Sequence, residues 1–488
     1  MSTGQRSIMA MAFAVAMTTD AGLAQQAGQP STVGVIKKNK APVSNEVLRV
    51  KLPRPVEADL PNGARLMVLE DHRLPRVTFQ IIIPGAGGYY DPETQIGLAT
   101  YTAQMMREGT KARTSLQMSQ ELETMAANVA VGSGVSAQTA TVSGGALTEN
   151  FNRLFDIAAD VLLNPTFPAD EWDRLRTRVR AGLQQQRAQP AFLANERFNQ
   201  VVYGKHPAGR ISATPASLDA ITREAMIEFH RTRYVPDHAL FAFAGDITPA
   251  AARQLIETKL GAWKKAGTAA PTVEDPPAIG AAKVYLINRP NSVQTSLIVG
   301  TQSIRRTDPD YYALTAVNRV LGGTMGRLFR HLREEKGYTY GVGSGFGSTK
   351  YPSAWAANTD VRTEVTDAAL TDLLADVADL RQTPVPVDEF NDAKRALVAS
   401  FALALENPQA LLGNYITSWT YGLPADYWDT YAARISAVTP EQAMAMARKY
   451  WDPARLHIVA VGDGAKINDV LARKGTLEVY DAEGRLVK

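Results

Sequence analysis

Runs of alternating apolar and polar residues, broken by stretches with apolar positions three and four apart, divide the chain into strand-like and helix-like segments. Arg65–Leu69 and Val77–Ile83 read as strands, the second rich in β-branched residues, and Asn62-Gly63 supplies a tight turn ahead of the first. Helical spacing predicts helices over Ile96–Arg107, Ser115–Ala127 and Asp170–Arg187. Val129–Ser133 and Ala137–Ser143 alternate about Gly134 as a hairpin does, and Ala239–Ala244 is a strand closed by Gly245-Asp246. Hairpins and helices interleaved in this way favour an α+β fold with a largely antiparallel sheet.

The pattern then recurs at an offset of 217 residues. Asp91-Pro92 returns as Asp308-Pro309, Ala220 and Thr222 as Ala437 and Thr439, Pro236 as Pro453, and Gly245-Asp246 as Gly462-Asp463. A domain-sized period means two homologous halves and excludes a solenoid. Pro271, Pro276 and Pro277 mark a linker over 266–278, so the halves are expected at 56–265 and 279–488, closing on each other as a two-lobed clamshell.

The N-terminus changes the picture of location. One Arg, a ten-residue apolar run from Ile8 to Met17 and small residues before Ala24 have the layout of a signal peptide over 1–24, too short to span a bilayer. A polar, Pro-punctuated extension follows over 25–55, no later stretch reaches 18 apolar residues, and the bacterial periplasm is the expected address. Composition narrows the chemistry. The 488 residues hold 52 Lys+Arg against 49 Asp+Glu, too even a balance for a dedicated nucleic-acid binder. The absence of cysteine removes disulfides, thiolate nucleophiles and Cys-ligated zinc. None of the six histidines lies three or four residues from another, so no helix face carries a histidine pair. Gly341-Val342-Gly343-Ser344-Gly345 fails as a nucleotide loop because the third required glycine falls on Phe346.

One segment nevertheless brings a resemblance. Gly97-Leu98-Ala99-Thr100-Tyr101-Thr102-Ala103-Gln104-Met105, followed by Gly109-Thr110, resembles the active helix of the insulinase/pitrilysin family of zinc peptidases, G-L-A-H-x-x-E-H-M with G-T after it. There two histidines four apart hold zinc and a glutamate activates the bound water. Here the frame is intact, but the histidine positions hold Thr100 and Gln104 and the base position Ala103. The third ligand, a glutamate on a later helix, falls on Gly182, 78 residues after Gln104, between Ala181 and Leu183. Thr, Gln and Gly offer at most weak neutral oxygens and Ala moves no proton, so this chain is expected to bind no metal; Asp91 and Glu108 are the only nearby carboxylates considered for a variant site.

The resemblance runs through the mature chain, including Tyr203-Gly204-Lys205-His206-Pro207-Ala208-Gly209-Arg210 and Leu332-Arg333-Glu334-Glu335-Lys336-Gly337-Tyr338-Thr339-Tyr340. The latter holds the family's second element, an Arg and a Tyr seven apart, which in active members grip the substrate backbone beside the scissile bond. Both Arg333 and Tyr340 are present. Gly337 reads as a helix C-cap, and period two then puts Tyr338, Tyr340 and Val342 on one strand face. A chain without the metal half and with the clamp half resembles the degenerate subunits of heterodimeric members, such as mitochondrial processing peptidase. The resemblance implies a non-catalytic subunit whose homologous partner carries the zinc and whose substrates are unfolded peptides added to a sheet edge. Val131 stands where the family has an asparagine on that edge strand. A scaffold or peptide-binding protein without peptidase activity in any assembly is the alternative.

Overall fold

The computed structural model describes residues 51–487; the signal-peptide reading and most of the N-terminal extension lie outside them. Two six-stranded sheets carry the fold. The first contains β1 (Val56–Asp59), β2 (Arg65–Glu70), β3 (Arg76–Pro84), β4 (Asn128–Gly132), β5 (Thr139–Leu147) and β6 (Leu240–Gly245), in the order β1-β2-β6-β3-β5-β4. The second contains β7 (Val284–Asn288), β8 (Gln294–Gln302), β9 (Thr339–Phe346), β10 (Ala354–Arg362), β11 (His457–Gly462) and β12 (Leu477–Tyr480), in the order β12-β7-β11-β8-β10-β9. The α+β class expected from the sequence therefore holds, with β2–β6, β7–β11 and β7–β12 as the parallel pairs among otherwise antiparallel ones. The two sheets differ at one margin. Where the first sheet ends in β1, antiparallel to β2, the second ends in the C-terminal β12, parallel to β7.

Strand alternation explains how each sheet is covered. Along β2, Leu66 and Val68 face a core shared with Leu98, Met105, Phe151 and Phe155 of the same half. Met67 and Leu69 face the other way, toward Leu411, Leu412 and Tyr415 of the Pro408–Tyr421 helix in the second half. The second sheet mirrors this. Leu297 and Val299 meet their own helices, whereas Ile298, Val459 and Val461 pack on Leu193, Phe198 and Val202 of the Pro190–Tyr203 helix from the first half. The halves thus exchange one helix each, and every sheet is buried on both faces. Gly300 of β8 permits the exchange: a Cβ there would sit 2.5 Å from the Phe198 ring and 2.4 Å from the Trp355 carbonyl oxygen.

The last described residues of the extension also dock on the second half. Leu52 is buried, its N–H donates to the Asp429 carboxylate, and Tyr415 O–H donates to the Pro53 carbonyl at 2.8 Å. Among the described residues no single helix is long and apolar enough to cross a membrane.

Candidate functional site

The helix Leu98–Met105 carries three of the four positions that the family resemblance assigns to the zinc site, Thr100, Ala103 and Gln104, and the sequence around it fixes its entry. Gly97 has φ +105°, and a Cβ there would lie 2.7 Å from the Tyr101 ring, so glycine is required. The Asp91 carboxylate accepts the Gly97 and Ala99 N–H groups at 2.8 and 2.9 Å, capping the positive end of the helix. Burial pushes its pKa up to about 6 although those two bonds pull the other way. Arg210 donates to the Gly88 and Asp91 carbonyls at 3.1 and 3.0 Å, and His206 Nε2 lies 3.1 Å from both Tyr89 Oη and the Glu274 carbonyl. The Tyr203–Arg210 segment is therefore a brace behind the helix and against the linker.

What this brace holds has no ligand chemistry. Thr100 and Gln104 stand one turn apart on one face; the Thr100 hydroxyl is buried with no hydrogen-bond partner, and Gln104 is exposed. Ala103 is fully buried. Gly182 lies on the separate helix Ala169–Arg187, and a Cβ there would meet nothing within 4 Å. The neighbouring carboxylates are engaged: Asp91 caps the helix, and Glu108 accepts the Ser115 hydroxyl at 3.0 Å. Among the described residues no group of three or more His, Asp or Glu could hold a metal ion, so this donor set does not fit zinc.

Arg333 and Tyr340 do come together. A π-helical turn, Phe329–Glu335, ends at Gly337, whose φ of +61° turns the chain into the edge strand β9. The Arg333 guanidinium lies 5.0 Å from the Tyr340 ring centre and 4.6 Å from that of Phe329. Its one carboxylate contact is the exposed Glu334 at 3.4 Å. Tyr340 is 88% exposed. The expected strand face is corrected here. Val361 pairs with Thr339 and Thr359 with Val342, so Tyr340 and Gly341 together oppose Asp360 in a bulge. Thr339, not Tyr340, shares the inner side with Val342, and its hydroxyl meets that of Thr359 at 2.9 Å. The bulge turns Tyr340 out to solvent.

Two supports of this pair carry no local sequence signal, since their partners are far along the chain. His331, inside the π-turn, contacts the Asp376 carboxylate at 3.2 Å, and burial raises the pKa of Asp376 above the usual carboxylate range. Arg362 donates to the Gly337 carbonyl at 3.0 Å. In the first half β4 is likewise the edge strand, with Val131 buried at the position read as the family's asparagine.

Two family models match the chain in tandem: "Insulinase (Peptidase family M16)" over residues 66–216 and "Peptidase M16 inactive domain" over residues 220–397. The chain belongs to the insulinase (M16) family. Among similar proteins, an uncharacterized zinc protease of Mycobacterium leprae is 26% identical over 403 residues, covering 80% of this chain and 88% of that protein. A probable mitochondrial-processing peptidase subunit beta of Arabidopsis thaliana is 24% identical over 267 residues, 54% of this chain and 49% of that protein. Among solved structures, a peptidase M16 inactive domain from Pseudomonas fluorescens superimposes with a TM-score of 0.77 at 27% identity, covering 84% of this chain and 98% of that one. A Helicobacter pylori protease shares the fold at 15% identity, TM-score 0.77, over 84% of this chain and 100% of its own. The match described as an inactive domain, residues 220–397, includes Arg333 and Tyr340.

Proposed function

We propose that this M16 chain is the non-catalytic subunit of a heteromeric zinc endopeptidase, secreted to the periplasm after cleavage at Ala24. A homologous, zinc-bearing partner supplies the metal, and Arg333 and Tyr340 reach from this chain into the partner's site. The observation that supports the reading is a guanidinium and a solvent-exposed phenol side by side at an edge-strand bulge, in a chain where, among the described residues, no group of three or more His, Asp or Glu could hold a metal ion. Both groups donate to a carbonyl that becomes an oxyanion, an effect of about 3–4 kcal/mol per donor in acyl-transfer sites. The free edge of β9 beside them is suited to pairing with the backbone of an unfolded peptide.

The test is peptide cleavage by the mature chain alone and mixed with the zinc-bearing homologue from the same genome, with bound zinc quantified. The expected result is neither zinc nor turnover for the chain alone, and turnover on mixing above that of the homologue by itself. Zinc with cleavage from this chain alone overturns the reading, and a mixture no faster than the homologue supports the scaffold alternative.

A further inference from the structure

A cavity of about 450 Å³ opens where both halves and the linker meet, at the far end of β9 from Tyr340. Its walls come from the β4–β5 loop, Ala270-Pro271 of the linker, the β9–β10 loop and the last turn of the Pro408–Tyr421 helix. Four aromatic side chains line it: Tyr90, Tyr351, Trp419 and Tyr421. The charge distribution is one-sided. Lys350 lines the cavity, and no aspartate or glutamate does. Lys350 is exposed at the mouth of the cavity and makes no ion pair among the described residues; partial desolvation by the atoms around it holds its ammonium below the ordinary lysine value. Directly behind the wall is a second cation. The Arg306 N–H donates to the Thr349 carbonyl at 2.9 Å, while its guanidinium is buried against the rings of Tyr311 and Tyr427 at 3.9 and 4.9 Å. Its Nε and Nη1 have no hydrogen-bond partner among the described residues.

An exposed lysine at the mouth and a buried guanidinium behind the wall, neither ion-paired among the described residues, favour an anion in the cavity. Gly422 and Leu423 N–H both bond to the Ser418 carbonyl, which reduces, without removing, the negative field of the last turn of the Pro408–Tyr421 helix on the cavity. The lining also selects the kind of anion. One reachable lysine, beside the His238 ring whose Nε2 lies 3.1 Å from the Thr268 carbonyl, and without an arginine fork or a helix N-terminus, matches a monoanion better than a phosphate dianion, and four aromatic walls call for an apolar body. We infer that this cavity binds a carboxylate carried on an aromatic or aliphatic body, with Lys350 as its counter-ion. Such a group arises as a free organic acid or as the C-terminus of a peptide. The inference does not depend on a peptidase partner, since every wall belongs to this chain.

Calorimetric titration of the full mature chain tests it with two pairs of probes. The first pair is 3-phenylpropanoate and 3-phenylpropanamide; the second is a hexapeptide ending in Phe, with a free or an amidated C-terminus. The acids are expected to bind about tenfold more tightly than the amides, one ion pair in a partly desolvated site. Lys350→Met should erase that ratio and Lys350→Arg should retain it, which separates loss of charge from loss of fold. Stronger binding by the acid peptide than by phenylpropanoate identifies a peptide terminus as the source, and equal binding identifies a free acid. Equal affinity for acid and amide, an unchanged ratio in Lys350→Met, or no binding by any probe up to about 10 mM overturns the inference.

Discussion

Arg333 illustrates how a single residue is kept available. A guanidinium in a folded chain usually finds a carboxylate; here the one such contact among the described residues is the exposed, adjacent Glu334, and the Phe329 and Tyr340 rings lie 4.6 and 5.0 Å from the group. Arg333→Ala removes a donor without touching a core, so the mixed enzyme should lose about 10- to 100-fold in kcat/KM while subunit association, followed by gel filtration, is unchanged. Unchanged turnover would remove the clamp role. Asp91 is the opposite case, a carboxylate committed to structure. Its pKa, raised to about 6 by burial, exceeds the 3.8 of a free aspartate, so between those values the folded chain holds a proton that the unfolded chain has released. Stability from this group is therefore complete below pH 3.8 and lost as pH rises through 6, by on the order of 2–3 kcal/mol. Urea titrations at pH 4 and pH 7 should show the wild type losing more of its midpoint than Asp91→Asn. An identical pH response in both proteins would exclude Asp91 as the source.

At the scale of elements, the exchanged helices set the largest single sensitivity. Adding a methyl group at Gly300 forces β8 off the Phe198 ring or away from the Trp355 carbonyl, and Gly300→Ala is expected to cost about 2–4 kcal/mol in chemical denaturation. Gly182→Ala is the control, since a Cβ there meets open space and a helix interior favours alanine. The elements themselves were largely legible from the sequence. The helix at Leu98–Met105 and the β4–β5 hairpin follow from spacing and turn residues that act over a few positions. Three features were not legible. The bulge at Tyr340-Gly341 exists only relative to Asp360 across the ladder, and a two-against-one count cannot be read from one strand. The apolar stripe of Pro190–Tyr203 says that the helix is covered but not that the other half's sheet covers it. The parallel docking of β12 on β7 depends on a vacant sheet margin more than two hundred residues away in sequence from β1, its counterpart in the first sheet. The candidate site divides along the same line: Thr100, Ala103, Gln104 and Arg333 were singled out by a family resemblance carried on short motifs, whereas the His331–Asp376 contact required the folded chain.

For the whole molecule, the exchange means that the linker is not what keeps the halves together. Met67, Leu69, Leu240 and Ala242 of the first sheet lie under a second-half helix, and Ile298, Val459 and Val461 of the second sheet under a first-half one. A protease site inserted within 266–270 and cut should leave both fragments eluting as one particle, separable only in denaturant. Two separate peaks under native conditions would show that the covalent link, not the packing, holds them.

The same arrangement bears on how the chain is made. Synthesis runs from the N-terminus, and all six strands of the first sheet are complete once Gly245 has been added. The outer face of that sheet, with Met67, Leu240 and Ala242 on it, stays uncovered until the ribosome reaches Tyr421. During that interval the nascent first half is an apolar slab with no cover of its own, the situation in which holding factors are needed and premature termination yields aggregates. Folding of either half is thus tied to completion of the other.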